Sequence, residues 1–166
     1  DHKTDPKQYI RKAYADGWKI LYLKRSNLLR HALSNIRAEM TRTYFHYVSS
    51  VPGAEAARAL HVQPRDLFRR MEEREEFMRQ EEKVLSGLDS YDIVYERDLL
   101  SPRRRQEICK GIFAYLGLTG EEVNVSTHLA RINQGSLQEL IANYHEIAAL
   151  LRGTRFESFL DEGSGQ

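Results

Sequence analysis

The sequence predicts an α/β fold, helix-rich, in which a parallel sheet is flanked by helices. Two compact apolar runs of β-formers, "WKILYL" (18–23) and the stretch Ile93 to Tyr95, are separated by long segments of helical periodicity. Strands joined through helices run parallel, because a parallel pair needs a crossover of about a dozen residues or more. Two strands fall short of the roughly four or more that an open sheet usually carries. First strands of the sheet are therefore expected to be missing, lying N-terminal to Asp1 or contributed elsewhere.

A chain of 166 residues fits one domain, expected over 1–160 with a frayed polar tail at 161–166. With 41% hydrophobic and 30% charged residues it has enough apolar content to offset chain entropy, and reads as a soluble globular protein. The net charge of +1 supplies no global field to draw the chain to nucleic acid or an anionic membrane, so any anion site must be local. A single cysteine, Cys109, excludes an internal disulfide framework, fits a reducing compartment and reads as a packed thiol in a helix. No apolar stretch approaches the roughly 20 residues of a membrane span and no signal peptide opens the chain, so a cytoplasmic location is expected. The opening "DHKTDP" has no initiator Met, and the first residue is expected not to be the native start.

The elements follow in order. "DPKQYIRKAYADG" (5–17) predicts a helix with Asp5 as cap, Pro6 at the first helical position and Gly17 after the last turn. "WKILYL" has Lys19 as its only polar residue, the pattern of a strand covered on both faces. From Asn27, the residues Leu28, Leu29, Ala32, Leu33, Ile36 and Met40 form an inward stripe, with Arg30, Arg37 and Glu39 turned away. Residues 41–63 are broken by Pro52-Gly53 and read as a loop that admits a helical turn at 54–60. The longest helical signal spans 64–87, with Leu67, Met71, Met78 and Leu85 near heptad spacing and a charge run that reads as a solvated face. After the second strand, Ser101 and Pro102 cap a helix with Ile108, Ile112, Tyr115 and Leu116 inward and Gly117 at its close. Residues 127–135 read as loop. Ser136 followed by Glu139 is a capping box that opens a helix with Leu140, Ile141, Tyr144, Ile147 and Leu151 inward, ended by Gly153.

Chemistry concentrates at "KRSN" (24–27), which falls at the carboxyl end of the first strand, where open α/β sheets place their ligands. The following helix start offers unpaired N–H groups and a positive dipole end. Lys24 and Arg25 are there unfavourable by about 0.3–1 kcal/mol each unless an anion lies between. Two readings stay open on this argument: long side chains reaching into water, or a cradle for an anion. No Walker A or GxGxxG pattern occurs. The six histidines show no HxxxH or His/Cys pairing, so no metal site is expected. Arg103, Arg104 and Arg105 share the dipole misfit and are expected to be solvated or paired with Glu96 and Asp98. No basic stripe with interleaved aromatics points to nucleic acid.

A resemblance adds what periodicity does not supply. "WKILYLKRSNLLRHALSNIRAEM" (18–40) resembles the 3′-phosphate-binding segment of the sulfotransferase superfamily, in particular its bacterial Stf0-like and nodulation- or lipopolysaccharide-type branch. "HKTD" (2–5) resembles the family's "GFKT" turn, "IVYERDLL" (93–100) the strand ending "YEDLL", and "LQELIANYHEIAALLRGTRFESFL" (137–160) the C-terminal "ELIANY" segment. The segments keep the family's order along nearly the whole chain.

The resemblance implies a P-loop-NTPase-like sheet and transfer of a sulfuryl group from 3′-phosphoadenosine 5′-phosphosulfate (PAPS) to a hydroxyl or amine of a small-molecule or glycan acceptor, without a metal. It implies that Arg25 and Ser34 hold the donor's 3′-phosphate, that Lys3 lies near the transferring group, and that His2 is a candidate base for the acceptor. Arg25 and Ser34 are nine residues apart where many members space the pair eight apart, which makes Ser26 the alternative, and "YERDLL" carries one extra residue. The family's first strand and its 5′-phosphosulfate loop should precede "HKTD". Two further readings stay beside this one: a non-catalytic nucleotide-binding or interaction module with a degenerate sulfotransferase fold, and a helical adaptor presenting 64–87. Segment 41–63, with Tyr44, Phe45, His46 and Tyr47, is where acceptor contacts are expected first. The oligomeric state stays open.

Overall fold

The structure, a computed structural model, describes residues 5–42, 46–47, 58–118, 125–127, 129–130 and 135–161. In order these form α1 (Pro6–Ala15), β1 (Ile20–Lys24), α2 (Leu28–Thr41), β2 (His46–Tyr47), α3 (Pro64–Leu85), β3 (Ser90–Val94), a π-helical turn (Tyr95–Leu99), α4 (Pro102–Tyr115), β4 (Leu129–Ala130), α5 (Leu137–Leu140), α6 (Tyr144–Leu151) and a 3₁₀ turn (Glu157–Phe159). The result is a mixed α/β, helix-rich chain with a two-stranded parallel sheet. It divides into two compact units, Asp1–Ser26 with Glu75–Val125, and Asn27–Arg74 with Ser126–Gln166.

The first unit is built on the parallel pair β1–β3, in register from Ile20↔Ser90 to Lys24↔Val94. α1 starts as the sequence predicts: the Asp5 carboxylate accepts the Lys7 N–H at 3.1 Å, Pro6 occupies the first turn, and Gly17 follows the last turn at φ +90°. Tyr115, at the end of α4, ties the two strand entries together, its hydroxyl accepting the Ile20 N–H at 3.3 Å and donating to the Asp89 carbonyl at 3.0 Å. α4 lies so close to β3 that a Cβ added at Gly111 would sit 2.0 Å from the Tyr91 hydroxyl. On the other face, Tyr22 donates to Glu81 of α3 at 2.8 Å.

β1 is not covered on both faces as its apolar run predicts. Leu21 and Leu23 are 43% and 54% exposed, and Trp18 is exposed too. The register puts Leu21 beside Tyr91 and Leu23 beside Ile93, but α4 packs over β3 and leaves the β1 side of that face uncovered among the described residues. For the same reason the apolar face of α4 is only partly buried: no residue of the helix is fully enclosed, and Leu116 is exposed.

Among the described residues, the second unit holds most of the fully buried side chains. Leu28, Leu29, Ala32, Leu33 and Ile36 of α2, Leu67 and Met71 of α3, Leu137 and Leu140 of α5, and Ile147 and Leu151 of α6 are all buried, joined by Val62 and Phe156. Met40, read as inward, is 64% exposed, and Arg37, read as turned away, is 1% exposed, with its guanidinium donating to the Arg58 carbonyl at 3.0 Å. The helical face rotates toward the residue whose polar head finds a backbone acceptor, as a buried cation requires. Of the heptad stripe on α3, Leu67 and Met71 are buried, whereas Met78 and Leu85 are half-buried. Arg70 of α3 holds both carboxylate oxygens of Glu39 on α2 at 2.8 Å.

Three segments differ from the sequence reading. Backbone pairing of β2 with β4 places short antiparallel strands inside two stretches read as loop. Residue Leu60 forms a parallel bridge with Ile141, its N–H reaching the Leu140 carbonyl and its carbonyl receiving the Ala142 N–H, each at 2.8 Å. That bridge breaks the helix expected after Ser136 into α5 and α6, because Ile141 must turn extended (φ −119°, ψ 113°) to pair. The capping box itself is present, with Ser136 and Glu139 satisfying each other's backbone N–H groups. Pro52-Gly53 and residues 54–57 of the expected helical turn lie outside the described residues.

Candidate functional site

Because β1 and β3 are parallel and end together at Lys24↔Val94, whatever follows one strand meets whatever follows the other. Arg25 and Ser26 follow β1. Tyr95 and Glu96 follow β3, where the chain winds wider than an α-helix into one π-helical turn, a form found often at functional positions. Asp98 fixes that turn. Its buried carboxylate accepts the Val94 N–H at 2.7 Å and both Arg97 Nε and Nη2 at 2.7 and 2.8 Å. The bond from Arg97, reinforced by the Val94 N–H, outweighs burial and holds the Asp98 carboxyl below its ordinary range.

At the end of β1, Lys24 pairs with Asp92 at 2.9 Å, and Arg25 Nε donates to Glu96 Oε1 at 3.2 Å. The second oxygen of Glu96 accepts the Ser26 N–H at 2.8 Å and the Ser26 hydroxyl at 3.0 Å. The Arg25 guanidinium lies over the Tyr95 ring, 4.3 Å from its centroid. Burial pushes the Glu96 carboxyl up, but the Ser26 N–H, its own backbone N–H, the Arg25 charge and the Ser26 hydroxyl together hold it below its ordinary range. The cluster is thus a cation seated on an aromatic ring and held at one nitrogen by an ionised carboxylate.

The charge misfit read from the sequence is met inside the chain: Asp92 and Glu96 are the anions beside Lys24 and Arg25. Of the two outcomes expected for the arginine run, solvation holds for Arg103 and Arg104, whose side chains are 88% and 53% exposed, and pairing with Glu96 and Asp98 does not. Glu96 and Asp98 pair with Arg25 and Arg97, while Arg103 and Arg104 both reach Glu107 one helical turn on, at 3.2 and 3.0 Å. A helical neighbour three or four residues on is nearer than a residue across a turn, so the local carboxylate wins.

Ser34 belongs to the second unit, on α2, and Arg25 to the first. α2 begins with Asn27, whose side chain accepts the Arg30 N–H at 2.9 Å. Arg30 in turn donates to the Gly135 carbonyl at 2.9 Å. Ser34 is half-buried, and no hydrogen bond reaches its hydroxyl among the described residues. Ser26, the alternative to Ser34, has both its N–H and its hydroxyl engaged by Glu96. His2 and Lys3 lie outside the described residues, as do Tyr44 and Phe45. Cys109 is half-buried in α4.

Sequence reasoning missed Tyr95 and Glu96 at Arg25. The signal that could have found them is the parallel pairing itself: two strands that end in register bring "KRS" and "YE" to one edge. Among the described residues there is no group of three or more His, Cys, Asp or Glu side chains able to hold a metal ion. No helix among them is long and apolar enough to cross a membrane. Comparison of the chain with models of protein families, with curated proteins and with solved structures gives no match.

Proposed function

We propose that this chain serves a PAPS-dependent sulfotransferase, with Arg25 and Ser34 holding the 3′-phosphate of the donor. The observation that carries the reading is the position of Arg25 one residue past the carboxyl end of a parallel β-strand, in a chain that continues at once into an N-capped helix. That is where α/β sheets place phosphate-bearing ligands. The ordered family-like segments of the sequence supply the choice of donor. In this proposal His2 takes the proton of the acceptor hydroxyl or amine as it attacks sulfur. Lys3 stabilises the charge that collects on the bridging oxygen as adenosine 3′,5′-bisphosphate leaves. The experiment is isothermal calorimetry of the full chain with adenosine 3′,5′-bisphosphate. Saturable binding that falls by about tenfold or more in Arg25→Ala is expected; absence of binding, or binding indifferent to Arg25, overturns the proposal.

One observation favours a second reading. Asp92 and Glu96 already neutralise Lys24 and Arg25, so the turn is electrostatically complete without a ligand, as a non-catalytic module with a degenerate sulfotransferase fold would require. Nucleotide binding without sulfuryl transfer in the presence of PAPS and a panel of glycan acceptors selects it.

A further inference from the structure

We infer that Tyr95 and Glu96 are positioning residues for Arg25, holding its guanidinium so that the two terminal nitrogens are left as a paired donor for a phosphoryl group. The inference rests on the reading of Arg25 as a phosphate ligand and goes beyond it by assigning work to two residues that would touch no substrate. Three observations carry it. Only Nε of Arg25 is used by Glu96, and among the described residues no hydrogen bond or ion pair reaches its Nη1 or Nη2. The Tyr95 ring lies against the guanidinium, 4.3 Å from its carbon to the ring centroid, and restricts where the fork can move. Glu96 is itself fixed, because its other oxygen is held by the N–H and hydroxyl of Ser26, the residue next to Arg25 in the chain.

A free arginine samples many rotamers, and binding a ligand through it forfeits that freedom. Here the contacts with Glu96 and Tyr95 already restrict that freedom. The planar fork suits two oxygens of one phosphate, and a carboxylate bound at Nε leaves that edge open. Held at about 3 Å by three donors, Glu96 remains ionised at neutral pH, so the brace is present whenever a phosphate would arrive. Tyr95 and Glu96 are adjacent in sequence, but the π-helical turn that begins at Tyr95 presents both to Arg25.

The test is a double-mutant cycle read by calorimetry on the full chain, with adenosine 3′,5′-bisphosphate and adenosine 5′-monophosphate as probes. Glu96→Ala is expected to weaken the bisphosphate by about tenfold in the native background and by less than about twofold in Arg25→Ala, since coupled neighbours lose their effect together. The monophosphate, which lacks the 3′-phosphate, is expected to bind both proteins alike. Glu96→Gln, which keeps one acceptor oxygen, recovers part of the loss and stands in where Glu96→Ala does not fold. Tyr95→Leu is expected to follow Glu96→Ala, with Tyr95→Phe near native. Equal losses in both backgrounds, or tighter bisphosphate binding in Glu96→Ala, overturn the positioning role while leaving the donor reading standing. A native chain that binds no bisphosphate overturns the donor reading and this inference with it.

Discussion

Asn143 pairs with both backbone polar groups of Val62, its Oδ1 accepting the Val62 N–H at 2.9 Å and its Nδ2 donating to the Val62 carbonyl at 2.8 Å. The side chain continues the bridge that Leu60 makes with Ile141, so one short extended strand is pinned to the break between α5 and α6. Val62 is buried, and nothing apolar can take over those two bonds. Asn143→Ala should therefore destabilise the chain by about 1–3 kcal/mol, the range for buried backbone groups left without partners. Asn143→Asp should be no better, since a carboxylate cannot donate to the carbonyl and faces Glu146. Urea unfolding of both variants checks this, and an unchanged midpoint in Asn143→Ala would rule the pin out.

Gly111 is a close-approach glycine rather than a turn glycine. Adding one methyl there meets the Tyr91 hydroxyl at 2.0 Å, with the ring carbon bearing it at 3.0 Å. Overpacking costs about 1–3 kcal/mol, while replacing a helical glycine by alanine returns roughly 0.5–1 kcal/mol. Gly111→Ala is expected to be net destabilising, and Tyr91→Phe, which removes the nearest atom, is expected to relieve it. If thermal melting shows the same loss in the Tyr91→Phe background, the tight contact between α4 and β3 is not what the glycine serves.

Acid should weaken the turn after β3. Glu96 and Asp98 both have carboxyl groups held below their ordinary range in the folded chain. The unfolded chain therefore binds their protons first as pH falls, so the stability they give is complete above the ordinary carboxylate values near pH 4 and is lost as pH falls through the lower folded values. Denaturation midpoints across that window should decline with acid, and the combined Glu96→Gln, Asp98→Asn variant should show a shallower decline. An acid slope identical to that of the native chain would show that neither carboxylate is held as described.

What could be read from the sequence was what local pattern decides. Asp5, Pro6 and Gly17 mark α1 because capping and φ restriction act within a few residues. The Ser136–Glu139 box does the same for α5. The parallel relation of β1 and β3 was also legible, from the helices between them. What was not legible came from partners far along the chain. Ile141 belongs to a helical stripe until Leu60, eighty-one residues earlier, pulls it extended. Arg37 looks like a solvated cation until the Arg58 carbonyl gives its head a buried acceptor. At the candidate site, the cation is visible in "KRSN", but the carboxylate beside it is not, because the register that delivers Glu96 to Arg25 is a property of the sheet.

Tyr115 provides the last expectation. Its oxygen sits between the first residue of β1 and the residue before β3, accepting from one backbone and donating to the other. Its ring packs on Tyr91 with centroids 5.5 Å apart, so the aromatic body stays in place when the hydroxyl is removed. Tyr115→Phe then isolates the two bonds from the packing. Each is worth about 0.5–1.5 kcal/mol, so the loss should lie near 1–3 kcal/mol in total. Global unfolding alone does not localise that loss. Amide hydrogen exchange does: the Ile20 N–H should exchange faster in Tyr115→Phe, while the Asn27-capped start of α2, held by its own side chain, should exchange as before. Unaltered protection at Ile20 would mean that its N–H is held by the β1–β3 ladder and that Tyr115 contributes packing only.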